Sequence, residues 1–175
     1  MLLFPNAYIP VAQLSIQPRN DPAHHFRLGR TLRKLGDDGM MIVGSGQITH
    51  NLRMVDFGAR PEDADPRVAE FTDWFGARMA ERDIDALLDY RARVPHAALM
   101  HPTDEHLLPV FSSLGAASDD YALGVQSLGT YQRTLAMTNY VFQTCKTKKP
   151  AEAGFHSYLI VYRPGAWLTH RRRHR

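Results

Sequence analysis

Two short apolar segments flank a helical pattern, and this order constrains the fold more than any other feature of the chain. Residues 9–16 (IPVAQLSI) and 39–46 (GMMIVGSG) are apolar with few charges, which is typical of buried strands. Between them, residues 19–36 offer Asp21 as a cap and Pro22 at the first helical position. A strand, a helix and a second strand predict a βαβ unit. Its strands are parallel, and its site lies at their carboxyl ends.

Further helical and extended patterns follow up to residue 143. Three helices and a strand are expected over residues 66–83, 83–92, 101–117 and 135–142. An apolar stripe at helical spacing supports the first of these helices: Val68, Phe71, Phe75 and Met79. Thr103 is expected to cap the third helix, with acidic residues in its first turn, while Pro109 shortens or bends it.

Bulk composition limits the class of protein. The chain has 175 residues, of which 44% are hydrophobic and 22% charged, as is ordinary for one globular domain. No apolar run approaches the ~20 residues that a membrane-spanning helix needs, and the first ten residues do not look like a signal peptide. The single cysteine, Cys145, excludes an internal disulfide framework and suits a reducing compartment. These features predict a cytoplasmic protein without a membrane partner.

Charge is distributed unevenly along the chain. Residues 1–143 hold 13 Lys and Arg against 17 Asp and Glu, whereas residues 144–175 hold eight basic residues and one acid. Proteins that read nucleic acid normally carry basic residues on a folded face, and here they are concentrated at the end. We therefore interpret residues 144–175 as a basic, irregular tail. Nucleic acid is not the expected partner, although such a tail can bind acidic surfaces in a salt-sensitive way.

His50 follows the second apolar segment through GSGQITHN, residues 44–51. Proteins with α/β folds place reactive side chains at such strand exits, yet a tight glycine loop can also end in an incidental histidine. His101 and His106 bracket the sequence PTDE, and with Glu105 they offer imidazole and carboxylate donors within six residues. No H-E-x-x-H motif or cysteine pair accompanies them. Spacing alone leaves a metal site and a capped helix with solvated histidines as equal alternatives.

Two other kinds of site are disfavoured by their patterns. Ser45 lies between two glycines, whereas the nucleophile elbow of serine hydrolases needs G-x-S-x-G. A phosphate-binding loop would need G-K-[ST] after the strand, and that sequence is absent. The glycine turn before His50 therefore belongs to neither pattern.

Four segments, in this order and spacing, resemble the class III extradiol ring-cleavage dioxygenases: FPNAYIPVAQLSIQ, DPAHHFRLGRTLRKL, GSGQITHNLR and HPTDEHLLPV. More narrowly, they are similar to the single-chain, DOPA dioxygenase-like branch of that family. The resemblance covers residues 1–143, and its THN and HPT-x-E-H blocks are specific. It implies an α/β fold whose central sheet is largely parallel or mixed and is flanked by helices.

The same resemblance implies an oxidoreductase that opens catechol-type rings with O₂ at a non-haem iron(II) centre, with zinc as an alternative occupant. Carried over by motif, His50 is a metal ligand or the acid/base group beside bound substrate, a role that suits an imidazole. His106 is carried over as a metal ligand. Four neighbours are expected to orient the ligands or to contact the substrate: Thr49, Asn51, His101 and Glu105.

The resemblance also implies an incomplete site. Members of the family carry further metal histidines in an amino-terminal segment that this chain lacks, so residues 1–143 correspond to the carboxy-terminal part of a catalytic domain. We expect a sheet that is incomplete at its amino-terminal side, weak metal binding and loss of activity. The alternative is a non-catalytic remnant or subunit whose metal site a partner chain completes. Exposed strand edges would also favour homo-oligomers.

Overall fold

The computed structural model describes residues 10–143 and the backbone of residues 157–161. The helices are α1 Pro22–Asp37, α2 Pro66–Glu81, α3 Ile84–Leu88, α4 Tyr90–Arg93, α5 Ala97–Met100 and α6 Leu108–Ala116. The strands are β1 Ile42–Gly46, β2 Ala122–Tyr131, β3 Leu135–Gln143 and β4 Ser157–Val161. Short 3-10 turns span Leu52–Met54 and Pro61–Asp63. Among the helices of these ranges, none has the length and apolar character that a membrane span requires.

The strands form one mixed sheet in the order β1-β4-β3-β2. β1 and β4 are parallel, whereas β4 with β3 and β3 with β2 are antiparallel. Helix α6 contacts β1 and β4, and α2 contacts β2 and β3. The expected α/β fold with a mixed sheet and flanking helices is therefore confirmed. Residues 157–161 form β4 although composition indicated an irregular tail, and the rest of that tail lies outside the described residues.

The expected buried strand over residues 9–16 is wrong where the structure describes it, from residue 10 onward. Residues 10–16 form no regular element, and Val11 and Leu14 are 74% and 60% exposed. Apolar character favours a strand only where a pairing edge and a covering face are both available. Among the described strands, β1 takes β4 as its parallel neighbour instead. The predicted βαβ unit is therefore not formed by these segments.

Helix α1 begins as its sequence predicts and packs tightly on α6. The Asp21 carboxylate accepts a hydrogen bond from the His24 backbone N–H at 2.6 Å, and Pro22 opens the first turn. A Cβ on Gly29 would lie 2.1 Å from the Ser112 carbonyl oxygen, and one on Gly115 would lie 2.1 Å from that of Phe26. These two glycines let the helix backbones approach closely, which anchors α1 along α6.

The helix expected over residues 101–117 starts later than predicted, at Leu108. Thr103 does not cap it; its hydroxyl donates to the Glu105 carboxylate at 2.8 Å. Pro109 lies in the first turn of α6, where its missing N–H leaves no hydrogen bond unmade. The proline therefore marks the start of the helix, and the histidines before it lie in a loop. The pattern over residues 83–92 likewise resolves into two short helices, α3 and α4.

One apolar core joins the helices to the sheet. The expected apolar stripe of α2 is fully buried, and the strand expected over residues 135–142 is confirmed as β3. Phe75 packs edge-on against Phe111 of α6 at 6.2 Å between ring centroids and lies 6.3 Å from the Tyr140 ring of β3. This aromatic cluster fixes α6 against the sheet, and with it the loop that precedes α6.

Candidate functional site

The glycines of GSG explain how β1 reaches the loop before α6. A Cβ on Gly44 would lie 2.5 Å from the Pro109 carbonyl oxygen, and one on Gly46 would lie 2.3 Å from that of His106. Side chains alternate along a strand, so both glycines face α6 while Ser45 between them is exposed. The Gln47 N–H then donates to the His106 carbonyl at 2.8 Å. The strand therefore lies directly on the start of α6, which carries the chain to His50 beside His106.

His50 and His106 are stacked at this point. Their ring centroids lie 3.5 Å apart and their planes differ by 25°. Both residues are half-buried. The backbone N–H of His50 donates to the Met100 carbonyl at 2.9 Å, which holds it against the segment that leads to His101. The structure thus brings together two of the histidines that the sequence singled out.

The electrostatics around this pair favour a neutral His50. Burial lowers the pKa of the His50 imidazole, and the adjacent His106 lowers it further, outweighing the attraction of Glu105. Burial acts against ionisation of Glu105, yet its own backbone N–H and the Thr103 hydroxyl lower the pKa of that carboxyl overall. At neutral pH the site therefore holds an unprotonated His50 and an ionised carboxylate. The Glu105 carboxylate lies 3.8 Å from His106 Nε2.

The two neighbours of His50 are engaged by the protein itself. The buried Thr49 hydroxyl donates to the Thr134 carbonyl and accepts from the Ala136 N–H, each at 2.7 Å. The Asn51 amide donates to the Leu99 carbonyl at 2.7 Å, and its oxygen accepts from the Arg53 N–H. The two side chains fix the backbone on both sides of His50. This arrangement orients the imidazole and ties it to β3.

His101 is fully buried and plays a different part. Its Nε2 lies 2.6 Å from the Ile48 carbonyl oxygen, which can only accept, so Nε2 carries the proton. Burial lowers the pKa of His101 to about 4. Within the described ranges its Nδ1 has no hydrogen-bond partner. His101 is therefore a neutral, buried residue whose hydrogen bond to the Ile48 carbonyl holds the segment between β1 and His50.

Sequence reasoning missed a cluster that holds the histidine loop. The Tyr90 hydroxyl donates to the Asp104 carboxylate at 2.6 Å, and Arg91 forms a close ion pair with the same carboxylate. Arg91 also donates to the His101 carbonyl at 3.1 Å. Asp104 was visible in the PTDE segment, but its partners Tyr90 and Arg91 lie on α4 and belong to no recognisable motif. The loop between His101 and His106 is thus tied to α4.

The described residues do not fit a metal ion by themselves. They contain no group of three His, Cys, Asp or Glu side chains placed to hold one. The rings of His50 and His106 face each other in a stack. A metal centre here needs donors from beyond the described part of the chain.

Comparison with known proteins gives the family. The model for the catalytic LigB subunit of aromatic ring-opening dioxygenase matches residues 1–143. The chain is 33% identical over 145 residues to a 4,5-DOPA dioxygenase extradiol of Beta vulgaris, covering 77% of this chain and 53% of the relative. An Escherichia coli protein of the same name is 31% identical over 141 residues, covering 77% of this chain and 50% of the relative.

A solved structure agrees with these relatives. The crystal structure of an uncharacterized Escherichia coli K12 protein superposes with a TM-score of 0.69 at 31% identity, covering 78% of this chain and 56% of that one. The chain spans about half the length of the curated relatives it matches. The family resemblance read from the sequence is thereby confirmed. The chain belongs to the family of the catalytic LigB subunit of aromatic ring-opening dioxygenases.

Proposed function

We propose that this chain supplies the acid/base part of an extradiol dioxygenase site, in which His50 moves protons while O₂ opens a catechol-type ring. Family membership supports the reaction class. The observation that carries the role of His50 is its position at the strand exit, stacked on His106 and fixed on both sides by Thr49 and Asn51. The substrate proposed is a catechol-type small molecule, with O₂ as the second reactant.

The chemistry of ring opening needs a group that cycles through both protonation states. Adding both atoms of O₂ across the ring bond beside the diol gives a semialdehyde that carries a carboxylate and an enol hydroxyl. Protons therefore leave the diol before the ring opens, one is delivered again to the enol oxygen, and the other goes to solvent. His50, whose pKa lies below its ordinary value, is unprotonated at neutral pH and ready to accept a proton from the diol. Being half-buried, it is shielded from bulk water yet reachable by a substrate.

The cofactor proposed is iron(II), with zinc as an alternative occupant. His50 and His106 would supply imidazoles to such a centre, and Glu105 and His101 would help to orient them. Because the described residues lack a three-donor group, the remaining ligands must come from elsewhere. We therefore expect the chain by itself to bind metal weakly and to turn over slowly or not at all.

A second candidate is a subunit that is non-catalytic until a complementing chain, or a second copy of this chain, completes the site. It is supported by the absence of a three-donor group among the residues that the structure describes. We place either form in the cytoplasm, because the single cysteine of the sequence suits a reducing compartment.

The test is oxygen uptake by the purified chain, loaded anaerobically with Fe(II) and then mixed with DOPA or protocatechuate. It is run with the chain alone and with the part of the Escherichia coli relative that this chain does not match. We expect the assembled pair to form the semialdehyde, seen by its absorbance. With His50→Gln the rate of formation should fall about 100-fold or more, as for loss of a general acid/base group. His96→Gln is the matched control, because His96 is exposed and pairs with Glu70.

Each outcome decides between the candidates. Uptake by the chain alone, dependent on His50, would support the enzyme and remove the need for a partner. Uptake only in the pair would support the complementing subunit. An assembled, iron-loaded pair that consumes no oxygen, or whose rate survives His50→Gln, would overturn the proposed role of His50.

A further inference from the structure

A cavity lies at the opposite end of α6 from His50 and His106. It has a volume of about 340 Å³, within the range of small-molecule sites. Helix α6 spans nine residues, which at 1.5 Å per residue separates the two ends by roughly 13 Å. The cavity lies between α1, the end of α2 and the residues that follow α6. It is therefore separate from the histidine pair.

Basic residues predominate among the charged residues that line the cavity. Three guanidinium groups, of Arg30, Arg33 and Arg82, line it together with a single carboxylate, that of Asp119. Asp119 accepts from Arg30 at 2.7 Å and from Arg33 at 3.0 Å, so it neutralises about one of the three charges.

Arg82 has only neutral partners among the described residues. Two of its guanidinium nitrogens donate to the Tyr121 carbonyl, at 2.8 and 3.2 Å, and the guanidinium lies 5.4 Å from the centroid of the Tyr121 ring. Its charge is therefore not cancelled. With three cations and one anion in the lining, the wall attracts an anion.

Apolar residues also line the cavity. Phe26 of α1, Ile84 of α3 and Leu114 of α6 form the apolar part of its wall. Ser118 lies in the same lining, and within the described residues its hydroxyl has no hydrogen-bond partner, so turning it toward a ligand breaks nothing. An anion such as inorganic phosphate would leave the apolar wall uncovered, and a neutral hydrocarbon would leave the guanidinium groups unmatched.

We propose that this cavity binds a small organic anion, a carboxylate joined to a ring-sized apolar body. The carboxylate lies at Arg82 and Arg30, whose guanidinium N–H groups beyond those bound to Tyr121 and Asp119 donate to its two oxygens. The ring packs on Phe26, Ile84 and Leu114. The site is independent of ring opening, so it stands whether or not the dioxygenase proposal does.

The test measures binding of benzoate to the full chain by isothermal titration calorimetry and saturation-transfer NMR. Benzyl alcohol, which lacks the charge, and inorganic phosphate, which lacks the ring, are measured beside it. We expect benzoate to bind more tightly than either, and Arg82→Gln to weaken it about tenfold or more, as for loss of a charge-assisted hydrogen bond. Arg30→Gln is expected to act in the same direction.

Arg27→Gln is the matched control, because Arg27 is exposed on the same helix as Arg30 and does not line the cavity. Circular dichroism melts show whether each variant remains folded, and Arg82→Lys, which keeps the charge, should restore part of the affinity. Phosphate binding as tightly as benzoate would overturn the organic part of the proposal. Absence of benzoate binding by the folded chain, or equal weakening by Arg27→Gln, would overturn the site.

Discussion

His50 and His106 lie in face-to-face contact, with ring centroids 3.5 Å apart, although they belong to different segments of the chain. His50 follows β1 in the chain, and His106 lies in the loop before α6. At this distance a positive charge on one imidazole strongly disfavours a positive charge on the other. The contact with His106 therefore disfavours the charged form of the His50 imidazole.

The first prediction concerns the pKa of His50 in the metal-free chain. We expect it to titrate below 6.5, because burial and the adjacent His106 both disfavour its charged form. In His106→Gln the second cause is removed, so the pKa of His50 should rise while remaining under the influence of burial. Two-dimensional ¹H–¹⁵N spectra of the imidazole rings across the pH range measure both values. His96→Gln should leave the His50 curve in place, and an unchanged curve in His106→Gln would contradict the coupling.

The second prediction concerns the contact of β1 with α6. Gly44→Ala places a Cβ 2.5 Å from both the Pro109 carbonyl oxygen and the Ser113 hydroxyl, so the strand must move away from the helix. We expect a loss of unfolding free energy of about 1–3 kcal/mol, as for overpacked cores. Urea denaturation at pH 7 provides the measurement.

Ser45→Ala and Gly58→Ala are the controls for this substitution. Ser45 lies on the same strand with its side chain exposed, and a Cβ on Gly58 would meet its nearest atom at 3.5 Å, an ordinary contact. Both variants should stay close to the parent in stability. A Gly44→Ala protein as stable as they are would mean that the glycines do not serve the contact.

Elements with local signals were predictable from the sequence. The cap and proline of α1 and the apolar stripe of α2 depend on neighbours within a few residues, and the strand expected over residues 135–142 is β3. The glycines before His50 were visible too, but their reason was not, because the atoms they accommodate belong to α6. Alternation along the strand is the signal that could have found it, since Gly44 and Gly46 share one face.

The features that were predicted wrongly or missed depend on residues that are distant in the sequence. Residues 10–16 have a strand-like composition, but composition does not say whether a neighbouring strand edge is available. Thr103 was predicted to cap a helix because Ser and Thr favour that position. The helix instead begins at Leu108, where Pro109 lies in its first turn and is the stronger start signal. The contact of Tyr90 with Asp104 joins two short segments whose geometry only the assembled core determines.

The third prediction uses the burial of His101. Its pKa is lowered from 6.5 to about 4 in the fold, so the folded chain favours the neutral imidazole. The stabilisation is complete above pH 6.5 and is lost as the pH falls toward 4, because the unfolded chain takes up the proton first. At 1.36 kcal/mol per unit the loss is about 3 kcal/mol. Urea denaturation at half-unit intervals between pH 7 and pH 4 tests it.

His101→Gln separates this effect from others in the same range. A glutamine amide can donate to the Ile48 carbonyl and does not titrate. The variant should be less stable than the parent at pH 7, because the short His101 contact with Ile48 and the packing of the imidazole ring are lost. Its free energy of unfolding should change less than that of the parent between pH 6.5 and pH 4. A slope equal to that of the parent would show that another group controls the pH dependence.

The fourth prediction concerns the start of α2. The buried Asp65 carboxylate accepts from the Arg67 guanidinium at 2.6 and 2.8 Å and from the Arg67 backbone N–H. This contact lowers the pKa of Asp65 from 3.8 to about 2, despite the opposing effect of burial.

Because the folded pKa of Asp65 is depressed, its stabilisation is present above pH 4 and is lost as the pH falls toward 2. Asp65→Asn keeps a capping oxygen and removes the charge. We expect it to lower the free energy of unfolding by about 1–2 kcal/mol at pH 7, a value reduced by solvent screening because Arg67 is 41% exposed. The difference from the parent should disappear near pH 2. Asp73→Asn, an exposed position on the same helix, should have little effect. A gap between Asp65→Asn and the parent that persists at pH 2 would mean that the carboxylate acts through its shape and not its charge.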